Sequence, residues 1–273
     1  MSEAEDFGYF ANLIRDRSGI VLEASKRYLV DARTGPVIEE FKLRDFAGLV
    51  KALRSGGNLA LQQRVVEVMT TNETSFFRDI HPFEALRTTV VPALLRSRAV
   101  ERKLQIWSAA CSSGQEPYTI AMLLRENFPE LAKWTVSIVA TDLSDQMLAR
   151  ARAGSFNQIE VNRELPAALL AKYFKKVGVR WEIARELRES IDFRPLNLIE
   201  GWPSLPPADV VFMRNVLIYF DNDTKKKILA RVRSVMNPGG YLFLGGAETT
   251  LNLDDNFKRL SVGKTGCYQV TGG

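Results

Sequence analysis

Four apolar segments between residues 103 and 215 end in polar side chains that could bind a ligand. The polar residues lie at 108–117 (SAACSSGQEP), 141–142 (TD), 197–198 (NL) and 214–216 (RNV). Each segment has the composition of a buried strand, and helical patterns separate the segments. Parallel sheets bind ligands outside the carboxyl ends of their strands. We therefore predict that the four ends form one binding site.

The first two ends indicate the chemistry of the ligand. The first loop contains Gly114, so its backbone could approach a ligand closely, but it lacks the G-x-G-x-x-G pattern of dinucleotide sites. Glu116 would repel a pyrophosphate and attract an ammonium or sulfonium cation. Asp142 ends the second segment, where an acid commonly accepts hydrogen bonds from ribose hydroxyls. Two acids without a phosphate-binding loop favour S-adenosylmethionine over a dinucleotide.

Both acids also have a structural interpretation. Glu116 could be a first-turn acid that the helix dipole stabilises. Asp142 could cap the amino end of the helix that follows it. The occurrence of both acids at strand ends favours the ligand site over either alternative.

The order of elements predicts an α/β fold with a doubly wound, mainly parallel, Rossmann-like sheet, because strands alternate with helices. The predicted strands are 103–110, 134–142, 191–197, 208–215 and 239–246, and the predicted helices among them are 83–97, 118–128 and 144–154. Residues 156–191 interrupt this alternation with a short helix (165–174) and two possible small strands around 177–183. We interpret them as an inserted small antiparallel β-subdomain.

The amino-terminal part of the chain is predicted to be entirely helical. Apolar residues recur at helical spacing in 7–19, 25–43, 45–54 and 59–70. Thr34-Gly35-Pro36 is expected to break or kink the second of these helices. The predicted domains are a helical domain at residues 1–75 and an α/β domain at 76–273 that contains the insertion.

The composition excludes several kinds of chemistry. His81 is the only histidine of the 273 residues, so a multi-histidine metal site or a triad that needs another histidine cannot form. Cys111 and Cys267 lack the spacing of a metal site, and we interpret both as buried hydrophobic residues. The acidic amino terminus does not resemble a signal peptide, and no apolar run reaches about 18 residues. We expect a cytoplasmic protein whose chemistry needs neither imidazole nor metal.

Charge is distributed unevenly along the chain. Residues 1–80 contain 11 Lys and Arg against 12 Asp and Glu, whereas the remainder contains 26 against 20. This excess could favour an acidic partner, or it could be an ordinary solvated surface. No Lys/Arg-rich run of the nucleic-acid-binding kind is present.

The segment MTTNETSFFRD at residues 69–79 concentrates hydroxyl and amide side chains beside two phenylalanines and an arginine. An ordinary linker does not have this composition. One interpretation is a helix start capped by Thr71 or Asn72 with Phe76 and Phe77 in the core. The other interpretation, a linker that contributes to the site, is what the family resemblance described next implies.

Several segments together resemble the chemotaxis receptor methyltransferases, the CheR family. They are TTNETSFFRD (70–79), WSAACSSGQEPYTIAMLL (107–124), ATDLSDQMLARARAG (140–154) and RNVLIYFD (214–221). The resemblance covers nearly the whole chain. It implies a protein-glutamate O-methyltransferase that transfers the methyl group of S-adenosylmethionine to chemoreceptor glutamates, giving methyl esters and S-adenosylhomocysteine. It also implies a helical amino-terminal domain, an α/β catalytic domain and an inserted β-subdomain.

The resemblance also assigns roles to individual residues. Arg78 and Tyr219 would be catalytic, although Tyr219 could instead be a core or half-buried aromatic residue beside Phe220. The implied cofactor-binding residues are Asn72, Thr74, Arg78, Gly114, Glu116, Asp142, Asn197, Leu198, Asn215 and Val216. Among these, Glu116 would meet the methionine ammonium, Asp142 the ribose, and Asn197 and Leu198 the adenine.

The implied partner is the cytoplasmic helical bundle of a chemoreceptor. The enzyme would act as a monomer at membrane-bound receptor arrays, without inserting into the membrane or binding nucleic acid. Two departures from the family pattern concern this docking. The second helix has Lys26, Arg27 and Arg33 but then Glu39 and Glu40, so docking could be weaker or the receptor different. The short loop KKVGVRW (175–181) predicts an enzyme that does not depend on a carboxyl-terminal receptor pentapeptide.

Two other functions stay open from the sequence. The chain could methylate a small molecule or a nucleic acid, although RNVLIYF replaces the Asn/Asp-Pro-Pro-Tyr/Phe sequence of amino-methylating nucleic-acid enzymes. It could also be a module that binds the cofactor without catalysis. The complete set of site residues argues against the second alternative.

Overall fold

The computed structural model describes residues 2–271, which form twelve α-helices and ten β-strands. The helices are α1 Glu3–Ser18, α2 Arg27–Glu40, α3 Phe46–Arg54, α4 Leu59–Met69, α5 His81–Ala85, α6 Val91–Ser97, α7 Gln115–Asn127, α8 Asp145–Ala153, α9 Gln158–Asn162, α10 Ala167–Tyr173, α11 Arg185–Arg188 and α12 Asn222–Ser234. The strands are β1 Lys103–Ala109, β2 Thr135–Asp142, β3 Ser155–Phe156, β4 Phe174–Val177, β5 Arg180–Ile183, β6 Ile191–Pro195, β7 Ala208–Met213, β8 Met236–Leu244, β9 Phe257–Leu260 and β10 Gly266–Val270. No helix in residues 2–271 is both long and apolar enough to cross a membrane.

The chain divides into two compact units. The first contains the residues up to Thr71 together with Tyr219–Thr224, and the second contains Asn72–Ile218 and the chain from Lys225 onward. The first unit is helical, and its core includes Phe10, Ile14 and Val30. Helix α1 begins earlier than predicted because Ser2 and Glu5 form a capping box, and it ends at Ser18, followed by the cap residue Gly19 with a φ of 76°.

Of the predicted break or kink in the second helix, the break is wrong. Helix α2 continues through Thr34-Gly35-Pro36 as far as Glu40. The Thr34 hydroxyl donates a hydrogen bond of 2.8 Å to the Val30 carbonyl, and Thr34 and Val37 are fully buried. Packing of this face therefore outweighs the low helix propensity of glycine and proline.

The second unit contains a seven-stranded sheet that confirms the predicted doubly wound fold. Its strand order is β6-β2-β1-β7-β8-β10-β9. The first five strands are parallel, whereas β10 runs antiparallel to both β8 and β9. The strand order reverses at β1, which lies between β2 and β7. The crevice beside the carboxyl ends of β1 and β7 is therefore the expected ligand site.

The insertion forms a separate antiparallel sheet in the order β3-β5-β4. This confirms the predicted small antiparallel sheet, although it has three strands rather than the two suggested around 177–183. The third strand, β3, is only two residues long, too short to give a periodic sequence signal. Strands β4 and β5 are joined by the two-residue turn Gly178-Val179, in which Gly178 has a φ of 59°.

Candidate active site

The loop after β1 turns sharply at the start of α7. Ala110, Ser112 and Gly114 all have positive φ values, of 55°, 50° and 92°. A side chain at Gly114 would place its Cβ 3.0 Å from the Ala151 Cβ of α8. Both its positive φ and this close approach therefore favour glycine at position 114. Gly114 thus lets the start of α7 approach α8 closely at the carboxyl edge of the sheet.

Asp142 joins this loop to the loop after β2. Its carboxylate accepts hydrogen bonds from the backbone N–H groups of Ser112 at 2.8 Å and Ser144 at 2.9 Å. Burial raises the pKa of Asp142, and these hydrogen bonds partly offset that effect. The capping residue of α8 is Ser144, whose hydroxyl accepts from the Met147 N–H, so the interpretation of Asp142 as that helix cap is wrong.

Glu116 lies in the first turn of α7, but its carboxylate is directed to the strand ends. It accepts hydrogen bonds from the Ser108 hydroxyl of β1 at 2.8 Å and from the Arg214 guanidinium at 3.1 Å. Burial raises the pKa of Glu116, and the nearby positive charges of Arg214 and Arg78 act in the opposite direction. Glu116 is thus a first-turn acid that also belongs to the polar group at the crevice.

Arg214 follows β7 and connects three parts of the chain. Its side chain is only 2% exposed and pairs with both Glu116 and Asp79. It also donates a 2.8 Å hydrogen bond to the Arg78 carbonyl. Its guanidinium lies 5.5 Å from the centre of the Phe83 ring. The sequence prediction placed Arg214 among the polar strand ends but did not include it among the site residues.

The segment 72–79 has no helical structure, and the next helix, α5, begins at His81. The interpretation as a helix start capped by Thr71 or Asn72 is therefore wrong. The Asn72 carbonyl accepts a 2.9 Å hydrogen bond from the Ser112 hydroxyl, and the Phe77 N–H donates to the Thr119 hydroxyl at 3.1 Å. These contacts hold the segment against the loop after β1 and against α7.

The insertion holds the other side of the same segment. The Ser75 hydroxyl donates to the Glu164 carboxylate at 2.6 Å, and Glu73 forms an ion pair with Arg163 at 2.8 Å. The fully buried Phe76 ring packs edge-on against Phe156 of β3 and Phe174 of β4, with centroid distances of 5.0 and 5.5 Å. Half-buried Thr74 lies between these anchor points.

Comparison with known proteins identifies the family. A model described as the CheR methyltransferase SAM binding domain matches residues 72–265, and one described as the CheR methyltransferase all-alpha domain matches residues 5–70. Chemotaxis protein methyltransferase 1 of Pseudomonas aeruginosa is 43% identical over 260 residues, covering 93% of both chains. Chemotaxis protein methyltransferase Cher2 of Pseudomonas putida is 40% identical over 270 residues, covering 97% of this chain and 98% of that protein.

The chain belongs to the CheR methyltransferase family. It is a methyltransferase that uses S-adenosylmethionine, which confirms the predicted fold class, enzyme class and cofactor.

The residues at the crevice fit this cofactor. Glu116 offers a carboxylate to a cation, and each Asp142 oxygen that accepts a backbone N–H retains capacity for a hydroxyl donor. Residues 2–271 contain no group of His, Cys, Asp and Glu that could hold a metal ion. The carboxylates of Glu116 and Asp142 suit an organic cation that carries a ribose, because one can pair with the cation and the other can accept from hydroxyls.

The predicted adenine residues of this CheR protein lie beside Asp142. The Leu196 N–H donates to the Asp142 carbonyl at 2.9 Å, which brings the following residues, Asn197 and Leu198, to the same edge of the sheet. Leu198 is buried, and the Asn197 side-chain oxygen accepts from the Ile199 N–H at 3.2 Å.

The predicted residues after β7 form a tight turn. Asn215 has a φ of 59°, and the N–H groups of Asn215 and Val216 donate to the Glu248 carboxylate. The sequence prediction did not identify Glu248, which lies two residues after the predicted strand 239–246, because only the four strand ends between residues 108 and 216 were interpreted as a site. Tyr219 is half-buried, and its carbonyl accepts a 3.0 Å hydrogen bond from the Val21 N–H. Since Tyr219 belongs to the compact unit of the amino-terminal helices, its role in the site stays a prediction.

The Arg214–Glu116 pair predicts strong coupling between the two residues. We expect Arg214→Met to lower the free energy of unfolding by about 3–5 kcal/mol, because it leaves the Glu116 carboxylate, whose side chain is only 13% exposed, without its cation. In the double variant Arg214→Met/Glu116→Gln the loss should be smaller than the sum of the two single losses. Urea unfolding of all four proteins measures this coupling, and additivity within about 0.5 kcal/mol would contradict it.

Proposed function

We propose that this CheR protein transfers the methyl group of S-adenosylmethionine to glutamate side chains in the cytoplasmic helical bundle of a chemoreceptor. The products are glutamate methyl esters and S-adenosylhomocysteine. The observation that carries the proposal is the presence of two carboxylates, Glu116 and Asp142, at the strand crevice. The chain that contains them aligns over nearly its full length with chemotaxis methyltransferases.

Individual contacts support the assignment of cofactor-binding roles. We assign the methionine ammonium to Glu116, because its carboxylate is held at the start of α7 by Ser108 and Arg214. We assign the ribose hydroxyls to Asp142. The segment with Asn72, Thr74 and Arg78 would cover the cofactor, Gly114 would admit it to the loop, Asn197 and Leu198 would hold the adenine, and Asn215 and Val216 would lie near the sulfur.

The proposed reaction needs no general base. A glutamate carboxyl has an ordinary pKa of about 4.3, so the receptor side chain is already a nucleophilic carboxylate at neutral pH. When bound, S-adenosylmethionine supplies a methyl group on a positively charged sulfur, and this group needs no further activation. The task of the protein is therefore to align the two reactants and to exclude water.

Arg78 and Tyr219 are the proposed residues at the reacting centre. The Arg78 guanidinium donates a 2.8 Å hydrogen bond to the Glu73 carbonyl, which holds the side chain within the segment 72–79. Its positive charge would attract the substrate carboxylate to the crevice. Tyr219 would lie beside the methyl group and help to orient the carboxylate.

The basic residues of α2 already have partners inside the first unit. The Arg33 guanidinium donates to the Met69 carbonyl at 2.7 Å and to the Thr71 hydroxyl at 3.0 Å. Arg27 pairs with Asp31 and lies 4.5 Å from the centre of the Phe46 ring. Because both arginines are engaged in these contacts, we infer that electrostatic docking of the receptor through α2 is weak.

The insertion supports independence from a receptor pentapeptide. The β4–β5 turn is only two residues long, because Val177 pairs directly with Arg180. The Arg180 side chain donates to the Ser155 hydroxyl at 2.7 Å and is thus used within the insertion. We infer that this loop has neither the length nor the unengaged arginine to tether a peptide.

Transfer of labelled methyl to a purified receptor cytoplasmic domain from the same organism tests the proposed function. We expect base-labile label on glutamate with the wild-type protein. Asp142→Ala and Arg78→Ala should each reduce the initial rate by about 100-fold or more, because each removes a charged group that positions a reactant. Arg185→Ala, at an exposed arginine paired with Glu189, is the matched control and should leave the rate unchanged. Absence of label with several receptors, despite tight cofactor binding, would contradict the proposal.

Cofactor affinity should fall at acid pH. Burial raises the pKa of Glu116 and Asp142, so both carboxyls take up protons at a higher pH than exposed acids do. Below the raised pKa, the affinity for S-adenosylhomocysteine should fall by up to about tenfold per pH unit for each carboxyl. The stability of the unliganded protein should change in the opposite direction. Because the folded state binds these two protons more tightly than the unfolded state, the free energy of unfolding should rise as the pH falls from the raised folded-state pKa values to the ordinary unfolded-state values.

Calorimetric titration with S-adenosylhomocysteine between about pH 5 and pH 8 measures this dependence. Glu116→Gln should weaken binding at neutral pH by about 10- to 100-fold and reduce the acid dependence. Asp192→Asn, at an exposed carboxylate paired with Arg194, should behave like the wild type. A Glu116→Gln profile identical to the wild type would show that Glu116 does not bind the ammonium.

The isolated carboxyl-terminal pentapeptide of a receptor should not bind this protein with micromolar affinity. The receptor domain should also be methylated at the same initial rate with and without its last five residues. Fluorescence anisotropy of a labelled peptide and the methylation assay measure the two quantities. Micromolar binding, together with a slower rate on the truncated receptor, would overturn this part of the proposal.

A further inference from the structure

Glu248 holds the turn after β7 through its side chain. It lies in the loop after β8 and is buried, with 8% of its surface exposed. One carboxylate oxygen accepts the backbone N–H groups of Asn215 at 2.7 Å and Gly245 at 2.6 Å. The other accepts the N–H groups of Val216 at 2.9 Å and Ile218 at 3.3 Å. Three of these four donors belong to one turn, 215–218.

The turn also has an unusual backbone conformation. Asn215 has a φ of 59°, in the left-handed region that asparagine adopts more readily than other residues with a Cβ, although less readily than glycine. The space around it is also full, since a Cβ on Gly245 would lie 2.7 Å from the nearer Glu248 carboxylate oxygen and 2.9 Å from the Asn215 nitrogen. The Glu248 carboxylate therefore fixes both the direction and the conformation of the turn.

Only a carboxylate of this length satisfies the four donors. A glutamine would keep one acceptor oxygen and would direct its own N–H groups at two backbone N–H groups. Hydrogen bonds from backbone N–H groups to a charged acceptor are also stronger than those between neutral groups. The identity of residue 248 thus matters beyond its volume.

We propose that Glu248 is a positioning residue for methyl transfer. It acts through the backbone of Asn215–Ile218 and holds Asn215 and Val216 at the distance from the reacting sulfur that transfer requires. This inference rests on the proposed function, which places Asn215 and Val216 beside the sulfur. A displacement of the turn of about 1 Å would be enough to slow the reaction about 100-fold.

The chain offers a matched control at the amino end of β7, the strand whose following turn Glu248 holds. Asp209, near the start of β7, is also buried and accepts a hydrogen bond from the Gln105 N–H at 2.9 Å. It pairs with Arg98 at 3.1 Å and accepts from the Asn237 side chain at 2.8 Å. Asp209→Asn and Glu248→Gln therefore make the same chemical change in two buried carboxylates of one unit.

The test compares both variants with the wild-type protein in kcat, in KM for the receptor domain, in Kd for S-adenosylhomocysteine and in thermal stability. Both variants should be less stable than the wild type. For Glu248→Gln we expect kcat to fall by about 10- to 100-fold while KM for the receptor stays within about twofold. Asp209→Asn should retain the wild-type kcat and KM. Equal kcat values for the two variants, measured where both are folded, would overturn the proposal.

A second variant and a binding measurement cover the cases in which Glu248→Gln does not fold or the wild type methylates no receptor. If Glu248→Gln does not fold, Glu248→Asp replaces it, because it keeps both acceptor oxygens and shortens the side chain by one methylene. If the wild type methylates no receptor, the proposed function fails, and the Kd for S-adenosylhomocysteine then tests the positioning role alone. Glu248→Gln should raise this Kd by about tenfold or more, and Asp209→Asn should not; equal values would overturn the inference.

Discussion

The arrangement of the second unit depends on one constraint, the buried guanidinium of Arg214. A charge removed from water must be paired, and Arg214 finds its partners in Glu116 of α7, in Asp79 and in the Arg78 carbonyl. The end of β7, the start of α7 and the segment 72–79 are therefore held together by one side chain. Displacement of any of the three would leave a charged group without its partner.

Two other carboxylates near the crevice, those of Asp142 and Glu248, are held by backbone N–H groups rather than by cations. Asp142 joins the loops after β1 and β2 in this way, and Glu248 fixes the turn after β7. Both carboxylates act where residues other than glycine have positive φ values, at Ser112 and Asn215. Loops fixed by buried carboxylates suit the proposed reaction, in which the protein contributes orientation rather than acid–base catalysis.

The sequence predicted well what depends on local patterns. Alternating strands and helices gave the doubly wound sheet, and the strand ends gave Glu116 and Asp142. Contacts between distant residues could not be predicted: the partners of Arg214 lie 98 and 135 residues away, and Arg33 contacts the end of α4 36 residues later. Helix α2 illustrates the same limit, because burial of Thr34 and Val37 overrides the local signal of Gly35-Pro36.

A crystal structure of the protein with S-adenosylhomocysteine bound would test the central claim most directly, which is that the acidic strand ends hold the cofactor. We predict the homocysteine ammonium within hydrogen-bond distance of the Glu116 carboxylate, with Arg214 still paired to it. The ribose hydroxyls should contact Asp142, and the sulfur should lie beside Asn215 and Val216. A ligand whose ammonium points away from Glu116, or whose ribose lies elsewhere than at the end of β2, would contradict the account.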